Sequence, residues 1–409
     1  MLKSYRDLPS GVLVLCLGAF VNRAGAMVMP FLALYLTQSR GYPTSVATSI
    51  MGVFGVGSVF ASIAGGWLAD RFGRKPVMIA SLIGAAGTIQ IVPRLDTELG
   101  VMLAVLAFSL AGEAYRPAAS AMLGDLTTPE SRPRAYALFY VAINLGFTAG
   151  AAVGGALAAH SYDLLFLVEG VTALAYALMI ALFLAETRPE VSLTPSETAS
   201  KGALVHILQN RIFLLFLLAN LLIGLMFNQA FTTLPLSMAA VGIPPQTYGQ
   251  VMAVNGVLIV LVQLPLASRL SRADRGVWMV VAALFLTLGF GLTGAFDTPV
   301  TIAGCVILWT IGEMILASLN QTVVGDLAPV EFRARYFGTF ALSMGLAMSI
   351  GPPLGGYVFE RWGAPALWGC VAMVGLAAAA ILASIRGPIA QPASLPENAP
   401  AVSASLPAA

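Results

Sequence analysis

Charged side chains are scarce in this chain. Only 10% of its 409 residues are charged, whereas 58% are hydrophobic, and the mean hydropathy is +0.86. A typical soluble domain carries about 25% charged residues. The composition therefore excludes an ordinary soluble globule, and with it a soluble enzyme, and it indicates a polytopic membrane protein.

Histidine and cysteine are also rare. The two histidines, His160 and His206, fall in a loop and in a polar linker, with no nucleophile or metal-binding cluster near them in the sequence. The three cysteines lie inside apolar runs without metal-ligand spacing, which is typical of small core residues. The sequence has no Walker-type phosphate-binding loop, and its net charge of +2 offers no basic surface for nucleic acid. We expect no enzymatic activity, no bound metal or cofactor, and no nucleic-acid partner.

Long apolar runs fill most of the chain. A transmembrane helix needs about 20 apolar residues, and twelve runs of about that length are bounded by charged residues, proline or glycine. The pattern predicts an all-α polytopic membrane protein with twelve transmembrane helices in contact with the lipid bilayer. The expected spans are 10–38, 45–70, 76–93, 98–125, 133–159, 163–185, 211–238, 246–270, 276–296, 299–326, 332–359 and 364–386.

The chain divides into two similar halves. Residues 186–210 are polar and predict a linker between an N-terminal half, 1–185, and a C-terminal half, 211–386. Residues 387–409 are rich in proline, alanine and serine and predict a disordered tail. The pair Gly112 and Glu113 recurs 200 residues later, and Asp125 recurs 201 residues later as Asp326. This repeat predicts two pseudo-symmetric six-helix halves.

Lysine and arginine are distributed unevenly between the two sides. With the N-terminus placed in the cytoplasm, most of them fall at the cytoplasmic ends of the spans, whereas Arg40, Arg94 and Arg361 fall outside. Positive residues accumulate on the cytoplasmic side of membrane proteins. We expect a multi-pass protein of the bacterial inner membrane with both termini in the cytoplasm.

The turn between the second and third spans reads GGWLADRFGRKP, from Gly65 to Pro76. It resembles the signature loop between helices 2 and 3 of the major facilitator superfamily. The resemblance implies two six-helix halves around a substrate site near the middle of the membrane, with alternating access to that site. It assigns a gating role to the matching residues, which are Gly66, Asp70, Arg71, Gly73, Arg74 and Lys75.

Two further patterns predict how helices meet. Asp125 precedes Arg132, and Asp326 precedes Arg333, at the same spacing in the two halves, so we expect an ion-paired clamp at the cytoplasmic end of each half. Glycines repeat at four-residue intervals in the fifth and eleventh spans, which allows helices to pack closely. These packing positions are Gly146, Gly150, Gly154, Gly155, Gly351, Pro352 and Gly355.

Few ionisable residues fall in the middle of a span, where they are costly unless paired or hydrated. Glu113 lies about 18 Å along the helix from Asp125, and Arg116 follows it at i+3 on the same face. Glu313 lies at the matching depth of the tenth span without a cation on its own helix, which favours its protonated form. Pairing of Glu313 with an arginine across the cavity is the alternative.

Arg23 lies at a similar depth in the first span. A buried guanidinium is the normal partner of a carboxylate or phosphate, so Arg23 predicts either an anionic or zwitterionic substrate or a structural ion pair with Glu113. Glu169, six residues from Asp163, is expected to be a partly hydrated structural acid near the outer end of the sixth span. The residues expected to line the substrate cavity are Asn22, Arg23, Met27, Arg116, Asn228, Gln229, Phe231 and Asn320.

The tenth span, with Glu313 after a glycine and Asp326 at its end, resembles that of multidrug/proton antiporters of the superfamily. The resemblance assigns proton coupling to Glu313, with Glu113 as the second candidate. It implies export of amphipathic or cationic small molecules, with the proton gradient as energy source. Ala151 and Ser109 depart from the antiporter pattern, which usually has proline and arginine at these positions.

Two other functions are open at this point, both in a protein that we expect to be a monomer. The chain could be a symporter or facilitator for a small anionic metabolite recognised by Arg23 and Arg116. It could also be a membrane scaffold that transports nothing, although the buried charges disfavour that reading.

Overall fold

The computed structural model describes residues 8–128, 130–188, 204–270 and 273–390. Residues 189–203 of the expected linker, and the expected disordered tail beyond residue 390, lie outside these ranges. The described residues form helices joined by short turns, with no β-strand among them. The first ten long helices are α1 (Ser10–Ser39), α2 (Thr44–Phe72), α3 (Arg74–Arg94), α4 (Glu98–Asp125), α5 (Arg132–Ala158), α6 (Asp163–Phe183), α7 (Arg211–Ala230), α8 (Pro245–Leu270), α9 (Arg275–Ala295) and α10 (Pro299–Leu327).

The last two spans lie within one long helical segment. Eleven described segments are long and apolar enough to cross a membrane, and the last belongs to Arg333–Ser384. Gly363 interrupts it with φ 77° and ψ 179°, a conformation that glycine tolerates. The segment therefore comprises α11 (333–362) and α12 (364–384), and the twelve spans expected from the sequence are confirmed. Residues 387–390 of the expected tail belong to a short helix, Arg386–Ala390.

Prolines break α1 and α7 at equivalent places. A proline inside a helix clashes with the carbonyl group four residues earlier, which for Pro30 belongs to Ala26 and for Pro235 to Phe231. The helical geometry of α1 is lost at Ala26. In α7 the α-helix ends at Phe227, continues as a 3-10 helix, Asn228–Ala230, and is followed after a turn by a short helix, Thr233–Ala240. The two breaks leave backbone groups without helical partners near the middle of the bundle.

Helices α1 to α6 and helices α7 to α12 form two groups. In the first, α1 packs against α5 and α6, α2 against α4, and α3 against α4 and α6. In the second, α7 packs against α11, and both α8 and α9 pack against α10. The groups meet through α2 with α11 and α5 with α8. The space enclosed between them is where the broken helices α1 and α7 lie.

Glycines let the packed helices approach closely. A Cβ atom on Gly150 of α5 would lie 2.9 Å from a carbonyl oxygen of α1, and one on Gly355 of α11 would lie 2.0 Å from a side-chain oxygen of α7. Gly146, Gly154 and Gly351 make similar approaches within their own halves, at 2.6 Å, 3.0 Å and 3.2 Å. By contrast, Gly155 faces α8 of the other half, at 3.0 Å from its backbone.

The two halves are joined at one end of the bundle. We call the end that carries Arg71, Arg74 and Lys75 the cation-rich end. At the other end, Glu360 Oε2 of α11 accepts a hydrogen bond of 2.5 Å from the Ser45 N–H at the start of α2. Close contacts between α5 and α8 and between α2 and α11 reinforce this closure.

Candidate functional site

A cavity of about 290 Å³ lies between the two halves. Most of its wall comes from α1 to α6, whereas α7 and α11 supply the rest. Charged and polar side chains share the lining with aromatic rings, a combination that suits an amphipathic small molecule. The polar residues are Asn22, Arg23, Glu113, Tyr115, Arg116, Glu169, Asn228 and Thr232, and the aromatic ones include Phe54, Phe108, Phe147 and Phe231.

Glu113 and Arg116 form an ion pair where α4 is interrupted. Arg116 Nη1 lies 2.6 Å from Glu113 Oε2, as their i,i+3 spacing predicts. Pro117 clashes with the carbonyl group of Glu113, and the helix breaks at Ala114. Both charged side chains line the cavity, and 49% of the Arg116 side chain is exposed. These two charges neutralise each other.

Arg23 lines the same cavity without an ion pair. No carboxylate of the described residues lies within 4.0 Å of its guanidinium, and its Nε is buried without a hydrogen-bond partner. The structural pair with Glu113, one of the two alternatives for this residue, is therefore not observed. The guanidinium is available to an anionic group.

The environment expected for Glu169 from the sequence is wrong. It was expected to be partly hydrated, but it is only 8% exposed and lines the cavity. Its Oε2 accepts a hydrogen bond of 2.7 Å from the Val28 N–H, where α1 resumes after its break. The break caused by Pro30 leaves this donor without a helical partner, and the carboxylate provides the acceptor.

The expected residues of α7 separate into two groups. Asn228 and Phe231 line the cavity. Gln229 instead points away from it and is 3% exposed, donating to the Gly351 carbonyl oxygen at 2.9 Å and accepting from Thr233 Oγ1 at 2.9 Å. Gln229 therefore joins α7 to α11, which corrects its assignment to the cavity.

Two further expected cavity residues lie elsewhere. Met27 is 4% exposed and packs beside Gly154 of α5, because the break in α1 turns it toward that helix. Asn320 does not line the cavity, and its Oδ1 is buried without a hydrogen-bond partner. Of the eight residues expected to line the cavity, Asn22, Arg23, Arg116, Asn228 and Phe231 do so. Tyr115, Thr232 and the aromatic residues of α2 and α4 were missed, because apolar runs do not show which face of a helix is buried.

Glu313 lies on α10, in the other half of the bundle from Glu113. Its Oε2 accepts a hydrogen bond of 2.8 Å from Asn255 Nδ2 of α8, and the same amide donates to Thr310 Oγ1 at 3.0 Å. Glu313 does not line the cavity and forms no ion pair among the described residues. The expected alternative, pairing with Arg23 or Arg116, is not observed.

At the cation-rich end, each half has one ion pair between its third and fourth helices. Arg74 Nε lies 3.2 Å from Asp125 Oδ2, and in the second half Arg275 Nη1 contacts Asp326 Oδ2. The two pairs are related by the repeat of 201 residues. Each pair ties the start of one helix to the end of the next.

The expected clamps of Asp125 with Arg132 and of Asp326 with Arg333 are wrong. Arg132 Nη2 instead donates to the Gly124 carbonyl oxygen at 3.2 Å, because a cation is favourable at the C-terminal end of a helix. Arg333 is exposed. The carboxylates are taken by the arginines of neighbouring helices rather than by those next in sequence.

The remaining residues of the signature loop surround the first of these pairs. Gly73 ends α2 with φ 105°. Asp70 Oδ1 lies 3.0 Å from Arg74 Nη1, so Arg74 contacts both Asp70 and Asp125. Lys75 donates to two carbonyl oxygens near the end of α6. Arg71 lies over aromatic rings of α2, and Gly66 has open space around it.

Glu186, just beyond α6, caps the start of α3. Its carboxylate accepts hydrogen bonds from the backbone N–H groups of Arg74 at 2.9 Å and Lys75 at 3.0 Å. Burial raises the pKa of the Glu186 carboxyl, but these and neighbouring backbone donors outweigh burial and hold the pKa below its usual value. The contact therefore stabilises the fold above the usual pKa of glutamate, and this stabilisation is lost as the pH falls through the lowered pKa.

Replacing Arg74 with glutamine should destabilise the protein far more than replacing Arg132 with glutamine. The Arg74 side chain is 9% exposed and contacts two carboxylates. Removing one partner of a buried ion pair costs about 3–5 kcal/mol, and we expect about 3 kcal/mol because the carboxylates are partly exposed. Thermal unfolding of the two purified variants measures the difference. Equal unfolding temperatures would contradict the observed pairing.

Comparison with known proteins identifies relatives over most of the chain. A model of the Major Facilitator Superfamily matches residues 15–329 and 238–407. The uncharacterized MFS-type transporter YqjV of Bacillus subtilis is 26% identical over 375 residues, covering 89% of this chain and 90% of the relative. A Na(+), Li(+), K(+)/H(+) antiporter of Planococcus maritimus is 27% identical, covering 81% and 85%. Multidrug resistance protein MdtH of Yersinia pestis is 24% identical, covering 85% and 84%.

Solved structures share the fold at lower sequence identity. A POT family transporter in complex with 5-aminolevulinic acid aligns with a TM-score of 0.77 at 16% identity, covering 94% of this chain and 97% of that chain. A POT family transporter in complex with a thioalcohol-conjugated peptide aligns with a TM-score of 0.78 at 15% identity, covering 95% and 100%. At such identities the likeness shows the fold alone, and it confirms the expected all-α architecture.

Proposed function

Because this chain belongs to the major facilitator superfamily, we propose that it exports amphipathic or cationic small molecules in exchange for protons. Members of this superfamily are transporters and not enzymes, and the chain is a multi-pass membrane transporter of a small-molecule substrate. Two relatives carry the names of a cation/proton antiporter and a multidrug resistance protein, which supports the proposed exchange.

The observation that carries the proposal is the environment of Glu313. Its carboxylate accepts from the neutral amide of Asn255 and forms no ion pair among the described residues. A carboxylate inside the membrane without a cation nearby favours its protonated form. Glu313 is therefore the proposed proton-coupling residue. Glu113 is the second candidate, because Arg116 already neutralises it.

Alternating access is the proposed mechanism. The halves 1–185 and 211–386 would rock about the cavity, joined by the linker 186–210, and the tail from residue 387 would take no part. Because the halves touch at the end away from the cation-rich loops, we assign this conformation to a state in which the cavity faces the cation-rich end. From the positive-inside rule we infer that this end and both termini lie in the cytoplasm. The proposed transporter is a monomer of the bacterial inner membrane that uses the proton gradient and no other cofactor.

Proton movement in proteoliposomes tests this function. Purified protein is reconstituted with a pH-sensitive dye inside the vesicles, and ethidium is added as a cationic amphipathic probe. We expect ethidium to induce proton flux that is absent from vesicles without protein. Proton flux in response to organic anions alone would overturn the proposal and favour a transporter of anionic metabolites. That second candidate is motivated by the unpaired guanidinium of Arg23.

A further inference from the structure

We propose that the cavity recognises zwitterionic amphipathic molecules, with the anionic group bound by Arg23 and the cationic group by Glu169. This inference names the substrate class of the cavity and rests on the proposed function, because it takes the cavity to be the transport site. Of the four charged side chains that line the cavity, Glu113 and Arg116 form an ion pair with each other, whereas Arg23 and Glu169 form no ion pair among the described residues.

Arg23 provides the positive charge of the cavity that is not in an ion pair. Arg23 Nε is buried without a hydrogen-bond partner, and no carboxylate of the described chain lies within ion-pair distance of the guanidinium. A buried nitrogen donor without a hydrogen-bond partner is unfavourable. A carboxylate or phosphonate can satisfy the guanidinium through two parallel hydrogen bonds. Arg23 is therefore the anion-binding group of the cavity.

Glu169 provides the carboxylate of the cavity that is not in an ion pair. Glu169 is buried, lines the cavity and is held in place by the Val28 N–H at 2.7 Å. An ionised carboxylate has about four acceptor positions, so backbone contacts at the break of α1 leave capacity for a further donor. The described residues place no cation within 4.0 Å of it. An ammonium group in the cavity would complete this site.

Four charged side chains line the cavity, two positive and two negative. The other charged groups that face Glu169 and Arg23 are Glu113 and Arg116, which already form an ion pair of 2.6 Å. One positive and one negative group thus remain without a salt bridge among the described residues, and both line the same cavity. A ligand with a single charge would satisfy one of them and leave the other unpaired, whereas a zwitterion satisfies both. The aromatic rings of the wall provide contact for an apolar body.

The test uses compounds that share one apolar body and differ in charge. Phenylalanine is a zwitterion, its methyl ester is a cation, and N-acetylphenylalanine is an anion; the dipeptide Phe-Ala, with its own ester and N-acetyl forms, varies the distance between charges. Binding to the purified full-length protein is measured by calorimetry. We expect one of the two zwitterions to bind at least about tenfold more tightly than its singly charged forms, which corresponds to about 1.4 kcal/mol.

Two variants assign the two charges. Arg23→Gln should remove the preference for the zwitterion over its cationic ester, and Glu169→Gln should remove the preference over its anionic N-acetyl form. The same chemical changes at exposed positions, Arg361→Gln and Glu331→Gln, serve as controls and should leave both preferences unchanged. If Glu169→Gln does not fold, Glu169→Asp keeps the charge and should retain the preference over the N-acetyl form.

Several results would overturn this inference. They are equal affinity for all three charge forms, no binding of any compound by the wild type, or equal loss of all three in each variant. Failure of the proposed function is distinguishable from these outcomes. If ethidium-induced proton flux persists while the zwitterion preference is absent, the inference fails and the proposed function stands. If the preference is found without any proton flux, the cavity binds zwitterions but the exchange mechanism is wrong.

Discussion

Replacing Gly249 with leucine should abolish transport while leaving a folded protein. Gly249 lies on α8 where it meets α5 of the other half, and a Cβ atom there would lie 2.3 Å from the Ala151 carbonyl oxygen. The clash is with backbone, which cannot move aside as a side chain can. It would arise only when the two halves close at this end, so each half can still fold by itself.

The size of the effect follows from the cost of overpacking. Forcing extra atoms into a well-packed contact costs about 1–3 kcal/mol, and more where backbone must shift. A difference of about 1–3 kcal/mol between two states changes their ratio by about 5–150-fold. The closed conformation of this end would be depleted by at least that factor, and the transport cycle would be interrupted.

A matched variant separates this effect from a general intolerance of leucine. Gly304 lies inside α10 with nothing within 4 Å of its Cβ position, so Gly304→Leu should transport normally. Gly150→Leu, which clashes with α1 of its own half, should instead lower the yield of folded protein. Uptake by proteoliposomes and the thermal unfolding of each variant are the measurements. Wild-type turnover by Gly249→Leu would show that this contact does not form in the cycle.

The proline positions in the sequence predict where α1 and α7 break, although the apolar runs that define the spans do not. Pro30 lies four residues after Ala26, where α1 loses helical geometry, and Pro235 lies four residues after Phe231, in the turn between α7 and the short helix that follows. The steric rule for proline predicts both places. The partner of the freed Val28 N–H could not be predicted, because Glu169 is remote in sequence and its depth was judged from its distance to Asp163.

The depth of a side chain in the membrane can be predicted from the sequence more reliably than the direction in which it projects from its helix. Counting residues along a helix gives depth, and it placed Glu113 and Glu313 at matching levels. Direction requires an apolar stripe opposite a polar one, and α10 is apolar on nearly all sides. The structure alone shows that Glu113 faces the cavity, whereas Glu313 faces Asn255 of α8.

The ion pairs at the cation-rich end show the same limit. The equal spacing of Asp125 to Arg132 and of Asp326 to Arg333 indicated pairs between neighbours in sequence. The true partners, Arg74 and Arg275, lie 51 residues away on another helix. Helix packing decides such contacts, and the repeat of 201 residues could have been used to find them, since both arginines begin the third helix of their half.

Glu313→Gln should abolish extrusion of ethidium against its concentration gradient while the protein remains folded. Glutamine keeps the size of the side chain, and its carbonyl oxygen can accept the hydrogen bond that Asn255 Nδ2 now donates over 2.8 Å. The substitution removes the carboxyl group that we propose to carry the proton of the exchange. Without that group, the proton gradient cannot drive the substrate, although downhill exchange can continue.

The effect of Glu313→Gln on ethidium extrusion can be compared with the effects of two other glutamate substitutions. Coupling between two ligands is typically worth about 1–3 kcal/mol, or about 5–150-fold in affinity, and with this coupling removed the gradient-driven part of ethidium extrusion should be lost. Glu113→Gln should behave differently, because it leaves the Arg116 guanidinium without its partner at 2.6 Å and should lower the amount of folded protein. Both variants are measured in proteoliposomes with an imposed pH gradient, beside Glu331→Gln as an exposed control. If Glu313→Gln extruded ethidium at the wild-type rate, proton coupling would have to lie at another carboxylate, with Glu113 the next to test.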